Sequence, residues 1–225
     1  MLTKALKLGM AGLWKCPFSL KSTKRKLRNM FDENGAAITS NSFVNVATGS
    51  CCLPLFKDPD TGVRLTLVLS PFGASASQLS KETSFSTNFH VVTRVLLGQL
   101  YVDEYVETRE QAQPWLVYKW PYPMHGIVPS SIQPHSQTSL SVVSSLVVNP
   151  NMELGRVSDR IYRVQLSPCP KSKQFAALSW VMPVDVTSKQ FLYSLKSPEE
   201  LPHAKSGNVP ANQANELFER FMKEL

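Results

Sequence analysis

The segment VRLTLVLS at residues 63–70 is the clearest strand in the chain. Aliphatic residues occupy every second position from Val63, which places one apolar face against a core. The residues before it, DPDTG at 58–62, combine Asp, Pro and Gly and therefore favour a tight reversal. An apolar run at 51–56 precedes this turn. Together the two runs predict a β-hairpin.

Other parts of the chain divide into short strands and two helices. Short apolar or alternating runs, separated by Pro, Asn and Ser, predict strands near 43–46, 116–122, 140–148, 161–166 and 178–186. Residues 88–106 carry apolar residues at helical spacing, so we expect a helix there, with a strand as the alternative because of Gly98 and the β-branched residues. Residues 217–225 have apolar residues at i, i+1, i+4, i+5 and i+8, which predicts a C-terminal amphipathic helix. The regions 72–87 and 126–139 are expected to be loops, with a weak helix as the alternative for 72–87.

These elements predict an α+β protein with a mainly antiparallel β core and one or two packed helices. We divide the chain into a basic N-terminal arm and linker at 1–42, a β-rich body at 43–197, and a hinge with the C-terminal helix at 198–225. The arm is expected to be disordered or helical. The linker assignment rests on the turn-like composition of 32–42, which includes Asn34-Gly35. With 225 residues, 43% of them apolar, the chain is long enough to bury a core.

No apolar run is long enough to span a bilayer. Arg94 and Gly98 interrupt one run, and Ser144 and Ser145 interrupt another. A spanning helix needs about 20 consecutive apolar residues. We therefore expect contact with a membrane to be peripheral, and the poorly spaced cysteines, which suit no disulfide framework, indicate an intracellular protein.

Positive charge is concentrated near the N-terminus. The formal net charge is +7, and the first 28 residues contain eight basic residues and no acidic one, so the rest of the chain is close to neutral. The basic residues are Lys4, Lys7, Lys15, Lys21, Lys24, Arg25, Lys26 and Arg28. Such an arm attracts polyanions, which include an anionic lipid membrane, RNA or DNA, and an acidic protein.

The arm has two parts. In a helical projection, its first part places apolar residues along one arc, which predicts an interfacial helix that inserts into a membrane surface beside its lysines. The apolar residues assigned to insertion are Leu2, Leu6, Met10, Leu13 and Trp14. The second part, residues 21–28, is expected to be an extended basic cluster that suits nuclear import, phosphate contact or lipid contact equally. A solvated tail and a cleaved targeting peptide are the alternatives for the whole arm.

Residues that carry common catalytic or metal chemistry are sparse. The four cysteines and four histidines show no metal-ligand spacing, so we expect reduced thiols, no metal and no cofactor. Phosphate-binding loops and nucleophile motifs are absent. Asp103, Glu104 and Glu107 are expected to face solvent on the predicted helix. We therefore predict a non-enzymatic protein and find no evident small-molecule substrate.

One aromatic segment permits two interpretations. It contains Trp115, Tyr118, Trp120 and Tyr122. These rings suit stacking on unpaired bases or anchoring at an interface. Their alternation also fits the buried face of a strand, which is the favoured interpretation.

The layout of a lysine-rich arm followed by a small body of strands and helices resembles the small matrix proteins of negative-strand RNA viruses. That resemblance implies a virion structural protein that bridges membrane and nucleoprotein and self-associates. The chain departs from many such proteins because it has neither a Pro-Pro-x-Tyr nor a Pro-Thr/Ser-Ala-Pro peptide. It is also similar, at Leu53-Pro54, Gly62 and the strand 63–69, to viral cell-to-cell movement proteins, although Ser70-Pro71 replaces their expected aspartate.

We therefore expect a membrane-binding, self-associating structural protein. The alternative is a nucleic-acid-binding protein of the viral movement or capsid type, which uses the arm for phosphates and the aromatic strand for bases.

Overall fold

The computed structural model describes residues 20–45, 48–70, 83–86, 89–109, 114–120, 134–158, 160–171, 173–183, 190–195 and 209–225. Two helices flank the strands in this part of the chain: α1 spans Leu20–Ser40 and α2 spans Ala211–Glu224. The strands are β1 Phe43–Asn45, β2 Ser50–Lys57, β3 Arg64–Leu69, β4 Thr83–Ser86, β5 Phe89–Leu97, β6 Gln99–Thr108, β7 Trp115–Trp120, β8 Ser136–Val148, β9 Glu153–Arg156, β10 Ile161–Ser167, β11 Ala176–Pro183 and β12 Gln190–Ser194. The predicted α+β class with a mainly antiparallel core is confirmed.

The strands form two sheets. Sheet A has the order β1-β2-β3-β11-β5-β9, and sheet B closes into a barrel in the order β10-β4-β12-β7-β8-β6. The hairpin predicted from residues 51–70 is present as β2 and β3. Its turn is held by the Asp58 N–H, which donates to the Val63 carbonyl at 2.8 Å, and Gly62 takes a positive φ of 68° there.

Sheet A is covered on both faces. The two helices cover one face, where Leu53, Leu65 and Leu178 are completely buried in a core shared with α1 and α2. The other face contributes Val95 and Ala177 to a second core shared with β6 and β10 of sheet B. The molecule therefore has three layers: the helices, sheet A and sheet B.

The two helices are attached to each other as well as to sheet A. The Phe31 and Phe218 rings stack with their centroids 3.7 Å apart. Beside them, Arg28 forms an ion pair with Glu219, and its guanidinium carbon lies 5.4 Å from the centroid of the Phe218 ring. Hydrogen bonding to Arg28 lowers the pKa of the Glu219 carboxyl, so this contribution to stability is lost as the pH falls through that pKa.

The predicted helix at 88–106 is wrong, because this region forms β5 and β6. A strand buried on both faces has apolar residues at nearly every position, and Val92 and Leu96 pack on the helix side while Val95 packs on the sheet B side. Because nearly every position is apolar, the run also contains apolar residues at the spacing of a helix. Gly98 separates the strands at φ +76°, where a Cβ would lie 2.4 Å from the Ser167 carbonyl oxygen.

The predicted linker at 32–42 is helical as far as Ser40, and the extended cluster expected at 21–28 also lies in α1. Burial of Leu27, Phe31 and Ile38 against sheet A and α2 outweighs the turn preference of Asn34-Gly35.

Two loop predictions also need correction: residues 83–86 form β4, and 136–139 belong to β8. The rest of the region 72–87 lies outside the described residues.

The predicted C-terminal helix is present as α2, and its buried side chains are Ala214, Leu217, Phe218, Phe221 and Met222. Neither described helix is both long enough and apolar enough to cross a membrane.

Apolar packing at α2 should contribute more to stability than the ion pair beside it. We expect Phe218→Ala to lower the free energy of unfolding by about 3–5 kcal/mol, because it leaves a cavity under a completely buried ring. Arg28→Gln should cost no more than about 1 kcal/mol, since both partners of the pair are partly exposed to solvent. Urea unfolding of both variants measures this, and equal losses would contradict it.

Candidate functional site

β8 has one edge that is only partly paired. On one side, β6 pairs with it from Ser139 to Val148. On the other side, β7 reaches only residues 136–138. Along 139–148, no strand within the described ranges pairs with that second edge. A strand edge that has no partner offers its backbone N–H and C=O groups to another strand.

The unpaired part of β8 exposes apolar side chains on both faces. Val142, Val143, Leu146 and Val147 are 51%, 54%, 51% and 46% exposed. Neighbouring residues of a strand point to opposite faces, so neither face of β8 is covered here. The register shifts between Glu104 and Tyr105 of β6, and Val143 is the β8 residue without a partner at that point.

β8 also lacks the features that usually protect an edge. Its 13 residues, SQTSLSVVSSLVV, include no charged residue and no proline. Natural edge strands commonly carry lysine or proline, which discourage pairing with other chains. Tyr101 of β6 pairs with Val147 of β8 and extends the exposed apolar area. We call residues 139–148, with Tyr101, the β8 edge.

Sequence reasoning predicted the strand at 140–148 but missed its exposure. The apolar residues occur there as neighbouring pairs, at 142–143 and at 146–147, rather than at alternate positions. Such pairs are expected of a strand whose two faces have similar surroundings. Whether those surroundings are core or solvent depends on how far β7 extends, which the pattern does not show.

The acidic residues of β6 are used to connect strands. Asp103 accepts hydrogen bonds from Arg163 of β10, with the Arg163 Nη2 at 2.6 Å, and from the Ser145 hydroxyl of β8 at 2.6 Å. Glu104, on the opposite face, pairs with Arg160. The expected helix is wrong, because all three carboxylates lie on a strand; Asp103 and Glu104 are held by arginines, whereas Glu107 is exposed to solvent as expected.

The buried thiols are poor nucleophiles. Burial raises the pKa of Cys51 to about 11, and burial together with the neighbouring Cys51 raises the pKa of Cys52 to about 12. A thiolate is the reactive form, and little of it exists near neutral pH at such values. Among the described residues, no group of three or more His, Cys, Asp and Glu side chains is placed to hold a metal ion.

Few of the predicted basic contact residues are exposed in the described chain. Lys24 and Arg25 are exposed on α1, whereas Lys26 is half-buried and Arg28 is bound to Glu219. The others lie outside what the structure describes: Lys4, Lys7, Lys15 and the side chain of Lys21, with the insertion residues Leu2, Leu6, Met10, Leu13 and Trp14.

The aromatic segment contributes to the core. Trp115 is 7% exposed, and Tyr118 is completely buried. Trp115 packs in a cluster with Tyr105, Val117 and Tyr193, and its ring lies 5.9 Å from that of Tyr105. Neither Trp115 nor Tyr118 offers an open ring face to a base. Tyr122 and the side chain of Trp120 lie outside the described residues.

Comparison with known proteins assigns no family. No family model matches the chain, and no curated protein matches it. Among solved structures, it is similar to an L-ribose isomerase from Cellulomonas parahominis, with a TM-score of 0.39, 9% identity, and 84% of this chain and 92% of that one covered. It is also similar to the DMSP lyase DddQ from Ruegeria pomeroyi DSS-3, with a TM-score of 0.37, 10% identity, and 74% and 66% covered.

A third similar structure is an HTH_3 family transcriptional regulator from Vibrio cholerae, with a TM-score of 0.34, 10% identity and 69% of this chain covered. The chain spans 62% of that regulator's length. Several of the similar structures are enzymes, but likenesses this distant indicate neither an activity nor a ligand.

The raised thiol pKa values predict slow alkylation. At pH 8, Cys51 and Cys52 of the folded protein should stay unmodified by iodoacetamide while half-buried Cys169 reacts before them. Both should react quickly once urea unfolds the chain. Mass spectrometry of peptides from a time course measures this, and early modification of Cys51 or Cys52 in folded protein would contradict it.

Proposed function

We propose that this protein is a non-enzymatic assembly protein that self-associates through the β8 edge and attaches to an anionic membrane through its basic N-terminal region. The observation that carries the proposal is the uncharged, unpaired β8 edge with its exposed apolar side chains. Exposed apolar surface of this kind marks interaction sites in folded proteins.

A second copy of the chain is the partner that suits this edge. Antiparallel pairing of β8 with β8 is two-fold symmetric, so each copy offers the other the same backbone donors and acceptors. No charged residue of β8 opposes its own copy in such a pair. The exposed valines and Leu146 would meet similar side chains, and cross-strand aliphatic pairs stabilise a sheet.

Pairing through a single strand is a modest interface. Stable complexes bury about 800 Å² per partner, and one strand edge with a few half-exposed side chains offers less. We therefore expect a dimer with a Kd on the order of micromolar. Self-association of this strength depends on local concentration, which attachment to a surface raises.

Exposed Lys24 and Arg25 support the membrane part of the proposal. Each basic residue near an anionic membrane contributes about 1 kcal/mol of attraction, so these two alone bind weakly. A dimer doubles the number of basic contacts and makes attachment tighter than that of one copy. This is the matrix-type role that the sequence layout predicts.

Two observations favour a binding role over catalysis. The carboxylates of Asp103 and Glu104 are held in ion pairs with arginines, and burial keeps the thiols of Cys51 and Cys52 protonated. The burial of Trp115 and Tyr118 favours the membrane over the nucleic-acid alternative, because base stacking needs an open ring face.

Charge placed on the β8 edge should abolish self-association. We expect the wild-type protein to sediment as a monomer–dimer equilibrium, and Val143→Lys with Val147→Lys to sediment as a monomer, because pairing would bury opposed like charges. Met152→Lys is the matched control, since Met152 is 50% exposed but lies outside β8. A wild-type protein that stays monomeric at high concentration, or variants that still dimerise, would refute the assembly role.

Membrane attachment should need both parts of the N-terminal region. We expect Lys24→Glu with Arg25→Glu, and separately Leu2, Leu6 and Leu13→Ser, to reduce sedimentation with phosphatidylserine vesicles by about tenfold or more. Exposed Lys57→Glu is the matched control and should change little. Binding to single-stranded RNA in preference to vesicles would overturn the membrane part and favour the nucleic-acid alternative.

A further inference from the structure

The face of sheet A that is turned toward sheet B changes character along its strands. Val68, Ala177 and Val95 are cross-strand neighbours and pack against sheet B in an apolar core. Two residues further along each strand, the neighbours are Thr66, Ser179 and Thr93. The core between the sheets thus gives way to a row of hydroxyl groups.

These hydroxyls are mostly shielded from solvent. Thr93 is 4% exposed and Thr66 is 8% exposed, while Ser179 is half-buried. The Thr93 Oγ1 lies 3.2 Å from the Ser179 Oγ. Unlike an apolar core, a row of buried hydroxyl groups can donate and accept hydrogen bonds.

The next row has an arginine at each end. Arg64 of β3 pairs with Val181, Val181 with Val91, and Val91 with Arg156 of β9. The guanidinium of Arg64 lies 5.3 Å from the centroid of the Phe89 ring. Two strands separate the arginines, so the row presents positive charge at both ends of an apolar centre.

Arg156 carries a buried polar atom that nothing described satisfies. Its Nε is fully buried, and no hydrogen-bond partner for it is found in the described part of the chain. Burial lowers the pKa of the guanidinium to about 10, against a smaller raising influence from Tyr162 of β10. The Tyr162 hydroxyl itself accepts a hydrogen bond from the Val157 N–H at 3.3 Å. Ion pairs found among the described residues engage Arg28, Arg94, Arg160 and Arg163, but not Arg156.

Arg156 is half-buried, its buried Nε has no hydrogen-bond partner and it forms no ion pair within the described ranges; such a charge is energetically costly, and an anion would compensate it. The guanidinium fork matches the paired oxygens of a carboxylate or a phosphate. Hydroxyls of Thr93 and Ser179, one row away on the same sheet face, are suited to bind the neighbouring polar part of such a ligand.

We infer that the region between the sheets at Arg156 binds the oxyanion group, a carboxylate or a phosphate, of a small molecule. Sequence reasoning found no evident small-molecule ligand, since residue spacing does not reveal that β9 places Arg156 beside β5. The site is separate from the β8 edge and does not depend on the assembly role.

Thermal unfolding of the full-length protein tests this inference. With inorganic phosphate or acetate, compared with chloride at equal ionic strength, we expect Tm to rise by about 2–4 °C. A larger rise with one anion identifies the preferred oxyanion. Arg156→Gln should abolish the rise, while Arg160→Gln should keep it, because Arg160 is exposed and already paired with Glu104.

Two further measurements separate binding from a structural role. In chloride, Arg156→Gln should leave Tm unchanged or raise it, because it removes a half-buried charge that no described residue pairs, and a fall in Tm would instead indicate a structural partner. In wild-type protein, phosphate should shift the NMR signal of the Arg156 Nε–H group. The inference is overturned if no oxyanion-specific rise occurs, if Arg156→Gln retains the rise, or if Lys24→Gln with Arg25→Gln removes it.

Discussion

The burial of sheet A on both faces is the constraint on which the rest of the structure depends. Its central strands, β3, β11 and β5, pack against α1 and α2 on one side and against sheet B on the other. Each strand therefore carries apolar residues on its helix side and, where it meets the core shared with sheet B, on its other side as well. The hydrophobic effect then fixes both the helix pair and sheet B relative to this one layer.

This constraint explains which elements the sequence predicts and which it does not. The β2–β3 hairpin was predicted because turn chemistry at 58–62 acts locally, and α2 was predicted because it is buried on a single face. β5 was mistaken for a helix because double-sided burial removes the alternation that identifies a strand. α1 was missed, with 21–28 expected to be extended and 32–42 a linker, because its stability comes from contacts with α2 and sheet A, which no local pattern shows.

The candidate sites were harder to predict for the same reason. The exposure of the β8 edge results from the short reach of β7, and the position of Arg156 results from the β5–β9 register. Both depend on which strands meet, which is a property of the whole fold.

The two sites also differ in chemistry: the β8 edge offers apolar side chains and backbone groups, whereas the Arg156 region offers charge and hydroxyls. The two proposed roles, assembly and ligand binding, would therefore use separate parts of the chain.

Amide hydrogen exchange of residues 139–148 as a function of protein concentration tests the assembly role most directly. If β8 pairs with a second copy, exchange in this segment should slow as concentration rises, while amides in β3 and β11 stay equally protected throughout. Exchange in β8 that does not change with concentration would contradict the account, because the edge would then be permanently open or already covered within one chain.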